Sequence, residues 1–195
     1  MFVTFEGLDG SGKSTQAELL RSRLEAEGDD VVATREPGGT ELGERVRDLV
    51  LHGDHVAPWA EALLYAASRA QHVDEVVRPA LERGATVVCD RYVDSSVAYQ
   101  GGARELGIER VLELNLAAVR GLMPDRTFLL LLDPARVLER LGQEQDRIER
   151  EDVAFYERVD AAYRALATRF PDRIVALDGS RPVDELAEEV YGALR

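Results

Sequence analysis

The apolar pattern of the chain predicts an α/β fold with a mainly parallel sheet, on three observations. Short β-rich apolar runs alternate with longer helical stretches along all 195 residues, the order that parallel strands joined by crossover helices require. The runs at 2–6, 31–35, 85–90, 127–132 and 173–177 are continuously apolar rather than alternating, as strands covered by helices on both faces are. The first run leads straight into a glycine-rich turn and then into helix-forming sequence. No repeat, low-complexity tract or linker divides the chain, so 1–195 reads as one domain.

That glycine-rich turn is the most informative stretch. Gly7, Gly12, Lys13 and Ser14 match the pattern in which a glycine and Gly-Lys-Ser are separated by four residues. A loop of small residues wraps its backbone N–H groups around phosphate oxygens, and the following helix adds its positive N-terminus. In such a loop Lys13 reaches the terminal phosphates and the Ser14 hydroxyl ligates Mg²⁺. A bare glycine turn would merely cap a helix, but the strand–loop–helix order favours the phosphate cradle. The first helix, 13–27, carries Leu19, Leu20 and Leu24 on one side and ends at Gly28.

After the second run, Thr34-Arg35-Glu36-Pro37-Gly38-Gly39-Thr40 breaks regular structure at a strand's carboxyl end, where open α/β sheets bind ligands. Leu42, Val46, Leu49 and Val50 then follow at helical spacing, with Arg45 and Arg47 beside the stripe. Arg45 reads as a solvated charge, whereas Arg47 suits either solvent or a site. A long helix is predicted over 61–83, with Leu63, Ala66, Ala70, Val73 and Val77 as its apolar stripe and Pro79 as a kink. Tyr65 and Arg69, four apart, share a face. A ring beside a guanidinium suits a planar heterocycle with carbonyl oxygens; a packed tyrosine and a surface salt bridge would show the same spacing.

The third run ends at Asp90-Arg91-Tyr92. A carboxylate there, beside the phosphate loop, is placed to hold Mg²⁺ directly or through water, and Arg91 to grip phosphate oxygens. Ser95, Ser96, Tyr99 and Gln100 precede Gly101-Gly102 and read as a pocket wall or as a capped surface helix. The stretch 108–122 reads as core packing without chemistry. Past the fourth run, Arg136, Arg140, Arg147 and Arg150 surround Gly142 and a polar run, as in a lid over transferring phosphates; the interspersed glutamates equally suit a salt-bridged surface helix.

Composition narrows the partners. With 24 Lys and Arg against 37 Asp and Glu, the net charge is −13, which disfavours sequence-independent binding to nucleic acid polymers and anionic membranes. The single cysteine, Cys89, excludes an internal disulfide, and His52, His55 and His72 lack metal-ligand partners. No signal peptide or membrane span is visible, so the expected compartment is the cytoplasm.

Over essentially its whole length the chain resembles the thymidylate kinase family of nucleoside monophosphate kinases. The resemblance is carried by FEGLDGSGKST at 5–15, TREPGGT at 34–40, LLYAASRAQHV at 63–73, CDRYVDSSVAYQGG at 89–102 and DRIE at 146–149. It implies a three-layer P-loop kinase fold, a five-stranded parallel sheet flanked by helices with a small lid at about 140–150. It also implies phosphorylation of dTMP to dTDP with ATP and Mg²⁺, and a homodimer. By motif position, ATP would meet Gly7, Asp9, Gly10, Ser11, Gly12, Lys13, Ser14 and Thr15, with Arg181 from the loop before the last helix. Ser14 and Asp90 would organise Mg²⁺. Acceptor contacts would come from Asp9, Pro37, Arg47 and Arg91, with Tyr65 stacking on thymine and Arg69 donating to a thymine carbonyl. Ser96 and Gln100 would meet the rest of the base edge, and Tyr99 would lie under the deoxyribose. Catalysis would fall to Lys13, Asp9, Arg91 and a lid arginine, Arg147 first and Arg140 second, because Gly10 stands where some members carry a basic residue. Another nucleotide kinase and a P-loop binding switch are the alternatives; no Asn-Lys-x-Asp guanine-reading segment supports the switch.

Overall fold

The computed structural model describes residues 1–140 and 146–194, and for 138–140 the backbone alone. The phosphate-loop segment opens it: β1 (Phe2–Gly7) runs through the loop into α1 (Lys13–Ala26). Then come β2 (Val31–Arg35), α2 (Glu41–His52), α3 (Pro58–His72), α4 (Arg78–Glu82) and β3 (Thr86–Asp90). They are followed by α5 (Val93–Ser96), α6 (Ile108–Ala118), β4 (Arg126–Leu131), α7 (Pro134–Arg140), α8 (Val153–Arg169), β5 (Ile174–Asp178) and α9 (Val183–Gly192). All five strands pair in parallel, in the order β2-β3-β1-β4-β5, as the continuous apolar runs require.

Alternate residues of each strand feed two separate cores. Val3, Phe5, Val88, Phe128 and Leu130 pack under Leu20 and Leu24 of α1 and Leu186 and Val190 of α9. On the other face Phe2, Val87, Cys89 and Leu129 meet Val97, Val111, Tyr156, Val159 and Tyr163. The register sets Asp90 opposite both Phe5 and Arg35, so three strand ends converge beside the phosphate loop.

Three expectations change. The helix expected over 61–83 begins earlier, with Pro58 at its first turn, and widens into a π turn at Val73–Val77 before α4. Pro79 lacks an N–H and crowds the preceding turn, and the widening lies there. The expected stripes shift too: Leu42, Leu49 and Leu63 are exposed, at 43%, 54% and 53%. The buried positions are Gly43, Val46, Val50 and Leu51 of α2, and Glu61, Ala62, Ala66, Ser68, Arg69 and His72 of α3. The stretch expected as helix to residue 122 stops at Ala118, where Arg120 and Gly121 adopt φ values of 52° and 72°. These left-handed positions close the helix.

Candidate active site

The glycine loop turns through positive-φ positions, and at the first of them no side chain fits. Gly7 has φ 134°, and a Cβ there would lie 2.3 Å from the Leu130 carbonyl oxygen of β4. Gly10 and Gly12 also have positive φ, 70° and 98°, and bend the loop until α1 starts at Lys13. Lys13 is 5% exposed and donates to the Leu8 carbonyl at 2.6 Å, 4.0 Å from Asp9. Burial, followed by the charge of Arg91, pulls its ammonium down to about 8.

At the neighbouring strand end Ser14 Oγ donates to Asp90 Oδ2 at 2.5 Å, while Asp90 Oδ1 is buried with no hydrogen-bond partner. A hydroxyl and an orphaned carboxylate oxygen form a hard-oxygen pair that suits Mg²⁺, whose other ligands are commonly water and substrate phosphate. Among the described residues no group of three His, Cys, Asp or Glu side chains could cage a metal alone. A cation here would therefore depend on the nucleotide for much of its shell.

The cradle opens into one cavity lined by Gly10, Gly12, Lys13, Ser14, Thr15 and Asp90, and a second cavity adjoins it. Asp9, Glu36, Arg47 and Arg91 belong to both, so these four form the junction. Arg91, itself at φ 68°, binds Asp9 at 2.5 Å and Ser95 Oγ at 3.1 Å. Burial opposes the charge on Asp9, but Arg91 and Lys13 outweigh it and hold the carboxyl down at about 2. Arg47 reaches the junction by donating to the Pro37 carbonyl at 3.1 Å. Thr40 caps α2 by accepting from Gly43 N, which fixes the 34–40 loop at that wall.

The second cavity deepens between α3 and the segment running from α5 into the π turn Val97–Ala103, where Tyr65, Arg69, Ser96, Tyr99 and Gln100 face it. Arg69 is 2% exposed and held from four sides: Glu36 at 2.6 Å, Ser96 at 2.9 Å, the Tyr92 carbonyl at 2.9 Å, and Asn115. A guanidinium so fixed is a rigid donor rather than a mobile surface charge. Beneath Arg91, Glu6 is wholly buried and accepts from Tyr92 N, Ser95 and Tyr163 at 2.7, 2.5 and 3.0 Å. Burial and the nearby Asp94 push its carboxyl up.

Two adjoining cavities, one at the glycine loop and one lined by Tyr65, Arg69, Ser96, Tyr99 and Gln100, accompany a clear match to known proteins. The family model described as Thymidylate kinase matches residues 5–190. Thymidylate kinases of Leifsonia xyli and Clavibacter michiganensis are 56% and 54% identical to this chain, covering 97% of it and 92% of their own length. The crystal structure of thymidylate kinase from Ehrlichia chaffeensis superposes with a TM-score of 0.83 at 34% identity, covering 100% of this chain and 97% of that one. The chain belongs to the thymidylate kinase family.

Against that family reading, the sequence-expected residues fall into three groups. Asp9, Gly10, Gly12, Lys13, Ser14 and Thr15 of the phosphate loop, Asp90, Arg91, Arg47, Pro37 and the Tyr65-to-Gln100 set line one or both cavities, whereas Gly7 and Ser11 line neither. Arg181 lines neither and pairs instead with Glu185 and Glu189 on the surface. Of the lid expected at about 140–150, positions 141–145, including Gly142, and the Arg140 side chain lie outside the described residues. Arg147 is described: its Nε donates to the Val50 carbonyl at 2.8 Å, its backbone N to the Leu51 carbonyl, and Nη2 to Glu61 at 2.5 Å. It therefore ties α2 to α3 beside the second cavity. Sequence reasoning missed Glu6, Glu36, Glu61, Asn115 and Tyr163. Glu61 had a readable signal, since 61, 65 and 69 share one helix face; so did Asn115, a lone amide in the stretch assigned to core packing alone.

Proposed function

We propose that the protein transfers the γ-phosphoryl group of ATP to dTMP, giving dTDP and ADP, with Mg²⁺ as the metal. The single observation supporting this reading is the junction, where Asp9, Arg47 and Arg91 line both the glycine-loop cavity and the adjoining one lined by Tyr65, Arg69, Ser96, Tyr99 and Gln100. The attacking group is already a phosphate oxygen, so no strong general base is needed, and rate comes from alignment and charge neutralisation. Lys13 and the loop N–H groups would hold the donor phosphates, and Arg47 and Arg91 the acceptor phosphate. Asp9 would keep Arg91 at the junction. Mg²⁺, held by Ser14 and Asp90, would neutralise charge on the transferring group. Tyr65 would stack on thymine, while Arg69, Ser96 and Gln100 would read its edge and Tyr99 would lie under the sugar. Arg147 and Arg140 are the two lid candidates; because Arg147 is committed to Glu61, we assign the transition-state charge to Arg140.

A homodimer is proposed as well, supported by exposed Leu42 and Leu49 of α2 and Trp59 and Leu63 of α3, each pair at helical spacing. No described helix is long and apolar enough to cross a membrane, and a cytoplasmic enzyme acting on small nucleotides is the reading that goes with this. Coupled ADP release across dTMP, dUMP, dCMP, dGMP and AMP tests the assignment. We expect dTMP to be preferred; preference for any other acceptor rejects it.

A further inference from the structure

Glu61 lies at the start of α3 with a side chain wholly shut off from solvent, outside every role assigned above. Its Oε1 accepts from Gln100 Nε2 at 2.9 Å and from Arg104 Nε at 3.4 Å. Its Oε2 accepts from Arg147 at 2.5 Å and from Arg104 Nη2 at 3.4 Å. Arg104 is tied in turn to Glu151 at 2.5 Å. Two guanidiniums thus fix a carboxylate against the back of Gln100, behind the cavity wall.

We propose that Glu61 is a positioning residue that sets the polarity of the Gln100 amide, and through it selects keto over amino pyrimidines. The argument is one of donors and acceptors. A carboxylate only accepts, so Gln100 must turn its NH₂ towards Glu61 and its carbonyl oxygen the other way. Gln100 lines the base end of the cavity together with Arg69. Arg69 spends four of its five N–H groups on Glu36, Ser96, Asn115 and the Tyr92 carbonyl, leaving one on Nη2. The wall therefore offers a fixed acceptor beside a fixed donor. Thymine and uracil present the complement, an N3–H donor next to a C4 carbonyl. Cytosine presents a bare N3 and an amino group, setting acceptor against acceptor and donor against donor. A site built to pair with a polar edge rejects the mismatched edge strongly, because its own buried groups are left unpaired. With an amide at position 61, either end of Gln100 would find a partner, and the preference would fade.

The inference rests on the dTMP-kinase reading, so the test separates the two. Turnover of dTMP is compared with 5-methyl-dCMP, which differs only at the 3,4 edge, in wild type, Glu61→Gln and Arg104→Met. Wild type should favour dTMP by about 100-fold or more in kcat/KM. Glu61→Gln should narrow that ratio at least tenfold, through the KM of dTMP, with the KM of ATP unchanged. Arg104→Met, which loosens the wall but keeps the carboxylate, should preserve the ratio. A purely structural Glu61 would slow both acceptors alike, and an unchanged ratio in Glu61→Gln overturns the proposal. Equal use of both acceptors by wild type also overturns it while leaving the kinase reading intact; absence of dTMP turnover rejects that reading instead. Because removing a buried charge between two arginines threatens the fold, neutron diffraction of the wild-type protein provides a second measurement. Deuterium on the Gln100 atom facing Glu61 is expected, and the reversed amide overturns the proposal.

Discussion

The glycine-loop cavity and its neighbour, proposed as the donor and acceptor halves of the site, are built in opposite ways. The donor half is built mainly on one run of chain, Gly7 to Thr15, joined by Asp90, and its contacts with phosphate would come mainly from backbone N–H groups and one lysine. The acceptor half draws Glu36, Tyr65, Arg69, Arg91, Ser96 and Gln100 from separate segments and holds the charged and amide groups among them through ion pairs and hydrogen bonds to buried or half-buried acids. A backbone cradle needs only glycines in the right places. A side-chain pocket needs a supporting layer of acids behind its arginines, and here Glu6, Glu36 and Glu61 are buried in that layer. The donor half should therefore fail by losing charge, and the acceptor half by losing support.

The largest effect expected is at Lys13. Lys13→Met should lower kcat/KM on the order of 10³-fold, since one preorganised positive charge on a transferring phosphoryl group is lost. Its melting temperature should not fall below that of wild type. The folded pKa of about 8 lies below the ordinary 10.5, so charging this lysine costs stability below pH 8, a cost relieved as pH rises from 8 to 10.5. Methionine removes that cost at every pH, offsetting the lost bond to the Leu8 carbonyl. A clear drop in melting temperature would mean that the cradle depends on Lys13 for its fold.

Next comes the acceptor half. Glu36→Gln breaks the pair with Arg69 and weakens the contact with His72, which lies 2.8 Å from Glu36. Removing one member of a buried pair leaves the other charge uncompensated, and about 3–5 kcal/mol of unfolding free energy should be lost in urea titration. A loss under 1 kcal/mol would show that Asn115, Ser96 and the Tyr92 carbonyl suffice to hold Arg69. The junction should report through pH. Asp9 is held at about 2 against an ordinary 3.8, so its contribution, about 2 kcal/mol, is complete above pH 3.8 and disappears as pH falls towards 2. Asp9→Asn should flatten the stability profile over that window, and an unchanged acid limb would free Arg91 from dependence on Asp9.

The same contrast explains what could be read beforehand. All five strands, their parallel pairing and the whole cradle were legible, because continuous apolar runs and glycine spacing are local signals. Asp90, Arg91 and Gln100 were legible as a continuous motif; the metal and phosphate roles of Asp90 and Arg91 followed from their place at a strand end, and only the base-edge role of Gln100 came from the family resemblance. Glu6 was hidden inside a strand read simply as apolar, and Asn115 inside a helix read simply as core. Burial, not spacing, distinguishes such residues from solvated ones. Leu42, Leu49 and Leu63 misled for the converse reason: helical spacing marks a face, but not which face the core takes.

Arg147 gives the smallest and most discriminating effect, because the two halves make opposite demands of it. As a lid arginine its loss would depress kcat more than tenfold and leave dTMP affinity alone. Its observed contacts are with Glu61 and the Val50 and Leu51 carbonyls, which make it a brace for the wall carrying Gln100. Arg147→Ala should therefore raise the KM for dTMP about fivefold, on the scale of one charge-assisted hydrogen bond partly replaced by water, with kcat within threefold of wild type. The lid pattern, kcat lost and KM kept, would require Arg147 to leave Glu61 during turnover and would return the transition-state charge from Arg140 to Arg147. The two patterns separate in one steady-state titration of dTMP at saturating ATP.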